Sequence, residues 1–412
     1  MATLEPAPYI ALVVALAVTA QTIAWRFGFP SILLLLMVGF VLGQAVDPEE
    51  VFGRDVLFGG VTIAVGVILF EGSMSLRSRD LKDLRQPVLR LCTVTVVIAW
   101  GLMTVAGIVV GIPWQLSLLV GAILVVTGPT VIAPILRSLR PTRRVSALLR
   151  WEGIIVDPIG AVLAVLVFQA VAAGRRDDTT LQLIATLGRA VGIAAVLALA
   201  VGILLEQLLE RHTIPDHLQG VACVGGAVVA LTASNAIEAE SGLLAVTLLG
   251  IFLGNRPRLH LHHVAEFTEH LQVLLVGVLF VVLAGRVAPD ELVDVLPRGL
   301  LFIALLVVIV RPVSIYLGLA GTKVTKEERS LLARMAPRGI VAAAVTSIFA
   351  LEFRHAADVA RADGDPRAAD LERLATEADL LVPLVFLLIV CTVAFYGLGV
   401  GRLAERLGLA ST

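Results

Sequence analysis

Residues 148–160 read LLRWEGIIVDPIG and set two acids, Glu152 and Asp157, inside a run otherwise apolar as far as Ala173. In hydrocarbon a carboxylate costs several kcal/mol unless it faces a partner or a water-filled cavity, so each is a candidate functional residue. Five positions apart on a helix, the two point about 140° away from each other. They therefore address different neighbours and do not form a paired acid/base couple. Arg311, within VVIVRPVSIYLG, is a deep cation that needs an anion, and Glu152 is its natural partner in a structural ion pair. Removing one member of such a pair would leave a buried charge uncompensated. Asp157 is then left free to bind and release a proton or a cation. Glu71, in VILFEGSMSL, is either a second ligand or gate or a solvated helix end.

The elements that hold these residues are membrane spans. The chain is 58% hydrophobic and 16% charged, with a mean hydropathy of +0.95. A soluble domain is nearer half apolar and a quarter charged, so the composition predicts an all-α polytopic membrane protein. A span needs about 20 mostly apolar residues. Thirteen runs qualify, at 8–25, 30–46, 56–75, 87–111, 114–137, 150–173, 181–208, 217–236, 242–255, 267–286, 298–320, 330–352 and 378–400. No basic segment precedes the first run and no small-residue cleavage site follows it, so it reads as a retained span. No soluble domain is expected within 1–412; a net charge of −1 gives no sign of nucleic-acid binding, and no cofactor motif is present.

Loop charge orients the spans. Basic residues gather at Arg77, Arg79, Lys82 and Arg85, at Arg137, Arg140, Arg143, Arg144 and Arg150, and at Lys323, Lys326 and Arg329. Loops of the other parity hold Asp47, Glu49 and Glu50, then Glu238 and Glu240, then Asp290, Glu291 and Asp294. The positive-inside rule puts the basic set in the cytoplasm, with the N-terminus outside and the C-terminus inside. The stretch 353–377 is read as an outer loop whose acids balance its arginines. His260, His262 and His263 read as a solvated loop cluster, and Cys92, Cys223 and Cys391 as small apolar residues rather than a disulfide or zinc framework.

Two spans carry helix breakers at their middle. Gly128 and Pro129 interrupt VVTGPTVIAPILR, and Pro337, Arg338 and Gly339 interrupt ARMAPRGIVAAAV. A proline removes a backbone donor and clashes with the preceding turn, so both helices should unwind there. Interrupted spans at matching positions of two halves point to a transporter's midplane site. The halves are 8–173 and 217–400, with 181–208 as the linker. Arg338 at the second break would meet either helix C-terminal dipoles or an anion.

These stretches together resemble the monovalent cation/proton antiporters of the NhaP/NHE type. The carrying residues are LFEG (69–72), TGPT (127–130), EGIIVDP (152–158), ESGLLAV (240–246), VRPVS (310–314) and APRGIVAAA (336–344), in the expected order. The resemblance implies a thirteen-span inverted-repeat fold with two crossing broken helices, a homodimer, and an elevator-like movement of the ion-carrying core in the cell membrane. It implies Asp157 as the ion-binding aspartate and Glu71 as an accessory carboxylate. It likewise implies Glu152 with Arg311 as the structural pair, and Thr127, beside Thr130, as a supplier of ligand oxygen. Val156 stands where the family usually has Asn, and Gly128 where it often has Asp, which leaves Na⁺, K⁺ or both open as the cation.

Competition of one cation and one proton for Asp157 would make the exchange electroneutral. A sodium-coupled solute symporter on a similar broken-helix scaffold is the alternative, and it would need a roomy polar pocket. An intramembrane enzyme is disfavoured, because HExxH is absent and no second deep Asp accompanies Asp157.

Overall fold

The apolar runs become helices, and the interruptions between them fall where the chain loses either hydrophobicity or a backbone donor. The computed structural model describes residues 5–406 apart from 82, 129–130, 133–135, 137–140, 174–178, 260, 363–364 and 366. Helices α1 (Pro6–Phe27), α2 (Ser31–Gly43), the short α3 (Pro48–Phe52) and α4 (Arg54–Met74) come first. α5 (Arg85–Cys92) and α6 (Val94–Val109) make one span bent at Thr93, followed by α7 (Trp114–Leu124) and α8 (Arg143–Ala173). Then come α9 (Thr179–Glu210), α10 (Asp216–Ile237), α11 (Ser241–Gly254) and α12 (His262–Ala284). α13 (Pro289–Leu305) passes through a π turn (Leu306–Val310) into α14 (Arg311–Gly318). α15 (Lys326–Ala333), α16 (Ile340–Ala362), α17 (Ala368–Asp379) and α18 (Leu381–Arg406) complete the chain.

Among the described residues nine helices are long and apolar enough to cross a bilayer, and α2, α7 and α11 are shorter apolar helices. The remaining expected span, 330–352, is the interrupted pair α15 and α16. The helices form two sets. α1, α2, α4 and α9 to α12 pack on one another, as do α5 to α8 with α13 to α18. The sets meet where α8 touches α9 and α11, where α16 touches α4 and α12, and where α2 touches α18.

The stretch 353–377, expected as an outer loop, is instead largely helical: α16 continues to Ala362 and α17 begins at Ala368. The cause is an amphipathic pattern. Phe353, Ala357 and Ala360 are buried on one side, and Leu371, Leu374, Ala375 and Ala378 on the other. Arg354 pairs with Asp379 at 2.7 Å and Arg361 with Glu372, so the charges serve the outer faces of a helical hairpin.

Small residues set the closest helix approach. A Cβ on Gly39 of α2 would lie 2.3 Å from the Val281 carbonyl oxygen of α12, and one on Gly43 would lie 2.0 Å from that of Gly285. Such glycines, one turn apart, let two membrane helices touch backbone to backbone. Nearby, Glu49 accepts a 2.8 Å bond from Arg286 Nε and a 3.0 Å bond from Arg54 Nε, which ties α3 and α4 to the end of α12.

Two predictions follow from these contacts. Gly39→Val should lower stability in detergent by about 1–3 kcal/mol, the usual cost of overpacking, read as a fall in the thermal unfolding midpoint. Burial alone would raise the Glu49 carboxyl, but Arg286 and Arg54 outweigh it and hold the group below its ordinary 4.5. A depressed folded value means that the pair's contribution is complete above the unfolded value and is lost as pH falls through the folded one. Glu49→Gln should therefore destabilise at pH 7. Its deficit against the parent should shrink as the solution is acidified below the ordinary carboxylate value, read from unfolding midpoints across pH.

Candidate functional site

The first broken span loses its helix after Leu124, with Val125 closing the last turn on the Gly121 carbonyl, and residues 126–128 are unwound. In the second, α15 ends at Ala333 and residues 335–339 are likewise outside any helix before α16 begins at Ile340. The two unwound strands cross in direct contact. The Gly128 amide donates to the Pro337 carbonyl at 3.2 Å. A Cβ on Gly128 would lie 2.3 Å from the Gly339 Cα, so only a residue without a side chain fits at this crossing. Pro129 and Thr130, both expected in the site, lie outside the described residues.

Arg338 spans the crossing. It is 1% exposed. Its guanidinium donates through Nη1 to the Val126 carbonyl at 2.6 Å and reaches the Val125 carbonyl at 3.5 Å. These are the carbonyls left open just past the C-terminus of α7, where a cation meets the negative end of the helix dipole. Of the two roles open for Arg338 in the sequence, its hydrogen bonds are with the helix end, while the anion Asp157 lies within its electrostatic reach. Its backbone amide also donates to Thr392 Oγ1 at 3.4 Å, which joins the crossing to α18.

α8 presents its acids to this region. Glu152, 3% exposed, and Arg311, 5% exposed, form a two-pronged pair: Nη2 donates to Oε2 at 3.0 Å and Nη1 donates to Oε1. Arg311 Nε also donates to the Leu332 carbonyl at 3.1 Å, near the end of α15. The π turn ahead of Arg311 inserts an extra residue into its helix, and such turns cluster at functional positions. Asp157 is fully buried. Among the described residues neither of its carboxylate oxygens has a hydrogen-bond partner, and the same holds for the buried Thr127 hydroxyl. Arg338 acts on Asp157 electrostatically. The turn that carries Asp157 lies on the unwound strand, since a Cβ on Gly160 would fall 2.3 Å from Val126 Cγ2. Pro158 interrupts no helix, but it lacks the amide that would bond the Ile154 carbonyl.

A small cavity of about 10 Å³ lies beside these groups, lined by Glu152, Val156, Arg311, Ser314, Arg338 and Thr95 among others. That volume is at the lower limit for a single water. Thr95 was not legible as a site residue. A lone hydroxyl in an apolar run ordinarily bonds its own helix, yet Thr95 Oγ1 is buried and has no partner. Glu71 does not line this cavity. It is half-buried near the end of α4 in the other set of helices, where the adjacent Gly72 faces Ile154 of α8. His262 and His263 are exposed at the start of α12, with His262 Nδ1 4.0 Å from Glu266.

Buried polar atoms are almost always hydrogen-bonded. Three oxygens without partners, on Asp157 and Thr127, are therefore an arrangement that a hard cation or a proton would complete. Carboxylate, hydroxyl and carbonyl oxygens suit such ions, whereas transition metals favour imidazole and thiolate.

The family model described as "Sodium/hydrogen exchanger, transmembrane" matches residues 11–406. The chain belongs to that family. It is 26% identical over 335 residues to the K(+)/H(+) antiporter NhaP2 of Shewanella baltica, covering 80% of this chain and 58% of that protein. It is also 26% identical over 368 residues to Na(+)/H(+) antiporter 1 of Methanocaldococcus jannaschii, covering 85% and 84%. The chain thus spans little more than half the length of the NhaP2 relatives. The structure of the sodium proton antiporter MjNhaP1 from Methanocaldococcus jannaschii at pH 8 shares the fold, with a TM-score of 0.82 at 23% identity and 98% of each chain covered.

A buried, two-pronged ion pair is costly to break singly. Glu152→Gln should destabilise this sodium/hydrogen exchanger family member by about 3–5 kcal/mol. The double variant Glu152→Gln with Arg311→Met should recover a large part of that loss. Comparison of unfolding midpoints for the single and double variants checks both.

Proposed function

We propose that this chain is a secondary antiporter that exchanges a monovalent cation, Na⁺ or K⁺, for protons at Asp157. The observation that carries the reading is the Asp157 carboxylate, fully buried and without a hydrogen-bond partner beside two crossing unwound strands. Binding of either ligand satisfies the carboxylate, so each displaces the other, and the loaded site can cross while the bare charge is held back. Thr127 and the unwound carbonyls supply further oxygens, and Thr130 is proposed with them. Gly128 lies on the opened first helix and Pro129 is proposed with it, Arg338 balances charge at the crossing, and Glu71 is an accessory carboxylate.

We take Glu152 and Arg311 as the structural pair and Asp157 as the group that trades its proton for the cation. One cation therefore moves per proton, with no net charge transferred. The relatives named as K(+)/H(+) and Na(+)/H(+) antiporters support this reading over a sodium-coupled solute symporter. The halves 8–173 and 217–400, joined by 181–208, are proposed as inverted repeats of one transport domain. The chain is placed in the cell membrane as a homodimer, with its N-terminus outside, its C-terminus cytoplasmic and membrane lipid around it.

Reconstitution into liposomes tests the mechanism. A pH gradient should drive uptake of Na⁺ or K⁺, and clamping the membrane potential should leave the final distribution unchanged. Asp157→Asn should abolish exchange while keeping the parent's unfolding midpoint. Exchange retained by a folded Asp157→Asn protein removes the assignment, and a strong dependence on potential removes the stoichiometry.

A further inference from the structure

An open groove of about 330 Å³ lies between the π turn, α14, α15 and α18, and it shares no lining residue with the cavity at Glu152 and Arg338. Its walls are apolar, from Val307, Val308, Pro312 and Phe395, and one end carries Ser330 and Arg334. Val308 is 68% exposed and Phe395 56%, so the groove faces whatever surrounds the bundle. The volume falls within the range of small-ligand pockets. The π turn of Leu306–Val310 forms part of one wall.

Arg334 decides what fits. Three other arginines of the basic loops are engaged. Arg144 pairs with Glu328 at 3.1 Å, Arg256 with Glu206 at 3.1 Å, and Arg329 donates to the Thr322 carbonyl at 3.0 Å. Arg334 has only the neutral Ser330 hydroxyl, at 2.6 Å. Among the described residues no carboxylate pairs with it. Arg334 is exposed at the end of α15. The basic loops at this end favour the anionic leaflet, which makes an anionic headgroup the nearest partner for its guanidinium. A packed apolar helix would leave Arg334 without that anion. A free phosphate would leave the apolar walls bare.

We propose that this groove binds one anionic glycerophospholipid, its phosphate on Arg334 and Ser330 and an acyl chain along Val307, Val308, Pro312 and Phe395. Tyr316, whose ring also lines the groove, adds a hydroxyl at the wall. The site is separate from the exchange site and stands or falls independently of it.

Native mass spectrometry tests this on the chain extracted from vesicles of equal phosphatidylglycerol and phosphatidylcholine. One phosphatidylglycerol should remain bound in preference to phosphatidylcholine. Arg334→Gln should lower its retention about tenfold, the scale of one charge-assisted contact. Arg334→Lys should restore part of it, and Val308→Trp, which fills the groove and leaves the charge, should lower it as well. Excess glycerol phosphate should not displace the lipid. Equal retention of the two lipids, or unchanged retention in a folded Arg334→Gln protein, overturns the proposal. Displacement by glycerol phosphate overturns it too, because the site would then read the headgroup alone. Val308→Trp separates lost binding from lost folding, since its side chain already faces outward.

Discussion

The backbone contact between the two unwound strands is the constraint on which the rest depends. A span that loses its helix inside a bilayer exposes carbonyls and amides that hydrocarbon cannot satisfy. Here each break meets the other. Gly128 donates to Pro337 across the crossing, and Arg338 covers the carbonyls left past the end of α7. Neither strand could be unwound alone at that depth without stranding its polar groups. The contact of Gly128 with Gly339 leaves no room for a side chain on Gly128, so the position suited to a polar ligand is filled by backbone.

Around this crossing the structure builds a body that carries Asp157. Glu152 holds Arg311, and Arg311 holds the Leu332 carbonyl, which joins α8, α14 and α15. At the basic end Arg144 makes a second tie, to Glu328 and to the Lys323 carbonyl at 2.7 Å. Thr325 and Glu328 close a capping box that fixes the start of α15. These bonds cross between elements that all belong to one of the two helix sets. Alternating access as proposed needs such a body, because the geometry at Asp157 has to survive the movement unchanged.

Much of this was legible in the sequence because hydrophobic length and breaker residues act locally. Run lengths predict the spans, and Gly128 with Pro337 and Gly339 mark the unwound stretches, since a missing donor cannot be compensated within the same helix. Glu152 and Arg311 were matched by elimination, as the deep charges of opposite sign. What was not legible depends on contacts distant in sequence. Thr95 looks like any hydroxyl in an apolar helix until Ser314 and Arg338 close a cavity beside it. The π turn before Arg311 has no local breaker, for Pro312 follows it. The stretch 353–377 was misread because its charge density resembles a loop, whereas its apolar residues recur at helical spacing.

Charge balance at the site then limits what the cation can be recognised by. Glu152, Asp157, Arg311 and Arg338 carry two charges of each sign when Asp157 is ionised. Adding a proton or a monovalent cation shifts this balance by the same single unit. Electrostatics therefore treats the two ligands alike and cannot by itself separate Na⁺ from K⁺. Discrimination has to come from the number and spacing of oxygens. Val156 contributes none, since its side chain turns an apolar surface to the cavity where an amide would add a dipole. The remaining donors of the proposed site are the Asp157 carboxylate, the Thr127 hydroxyl and the backbone. The spacing of the carbonyls around residues 125–128 is fixed by the crossing and by Arg338. In the proposed exchange, ion choice would thus rest on the strand geometry more than on the side chains.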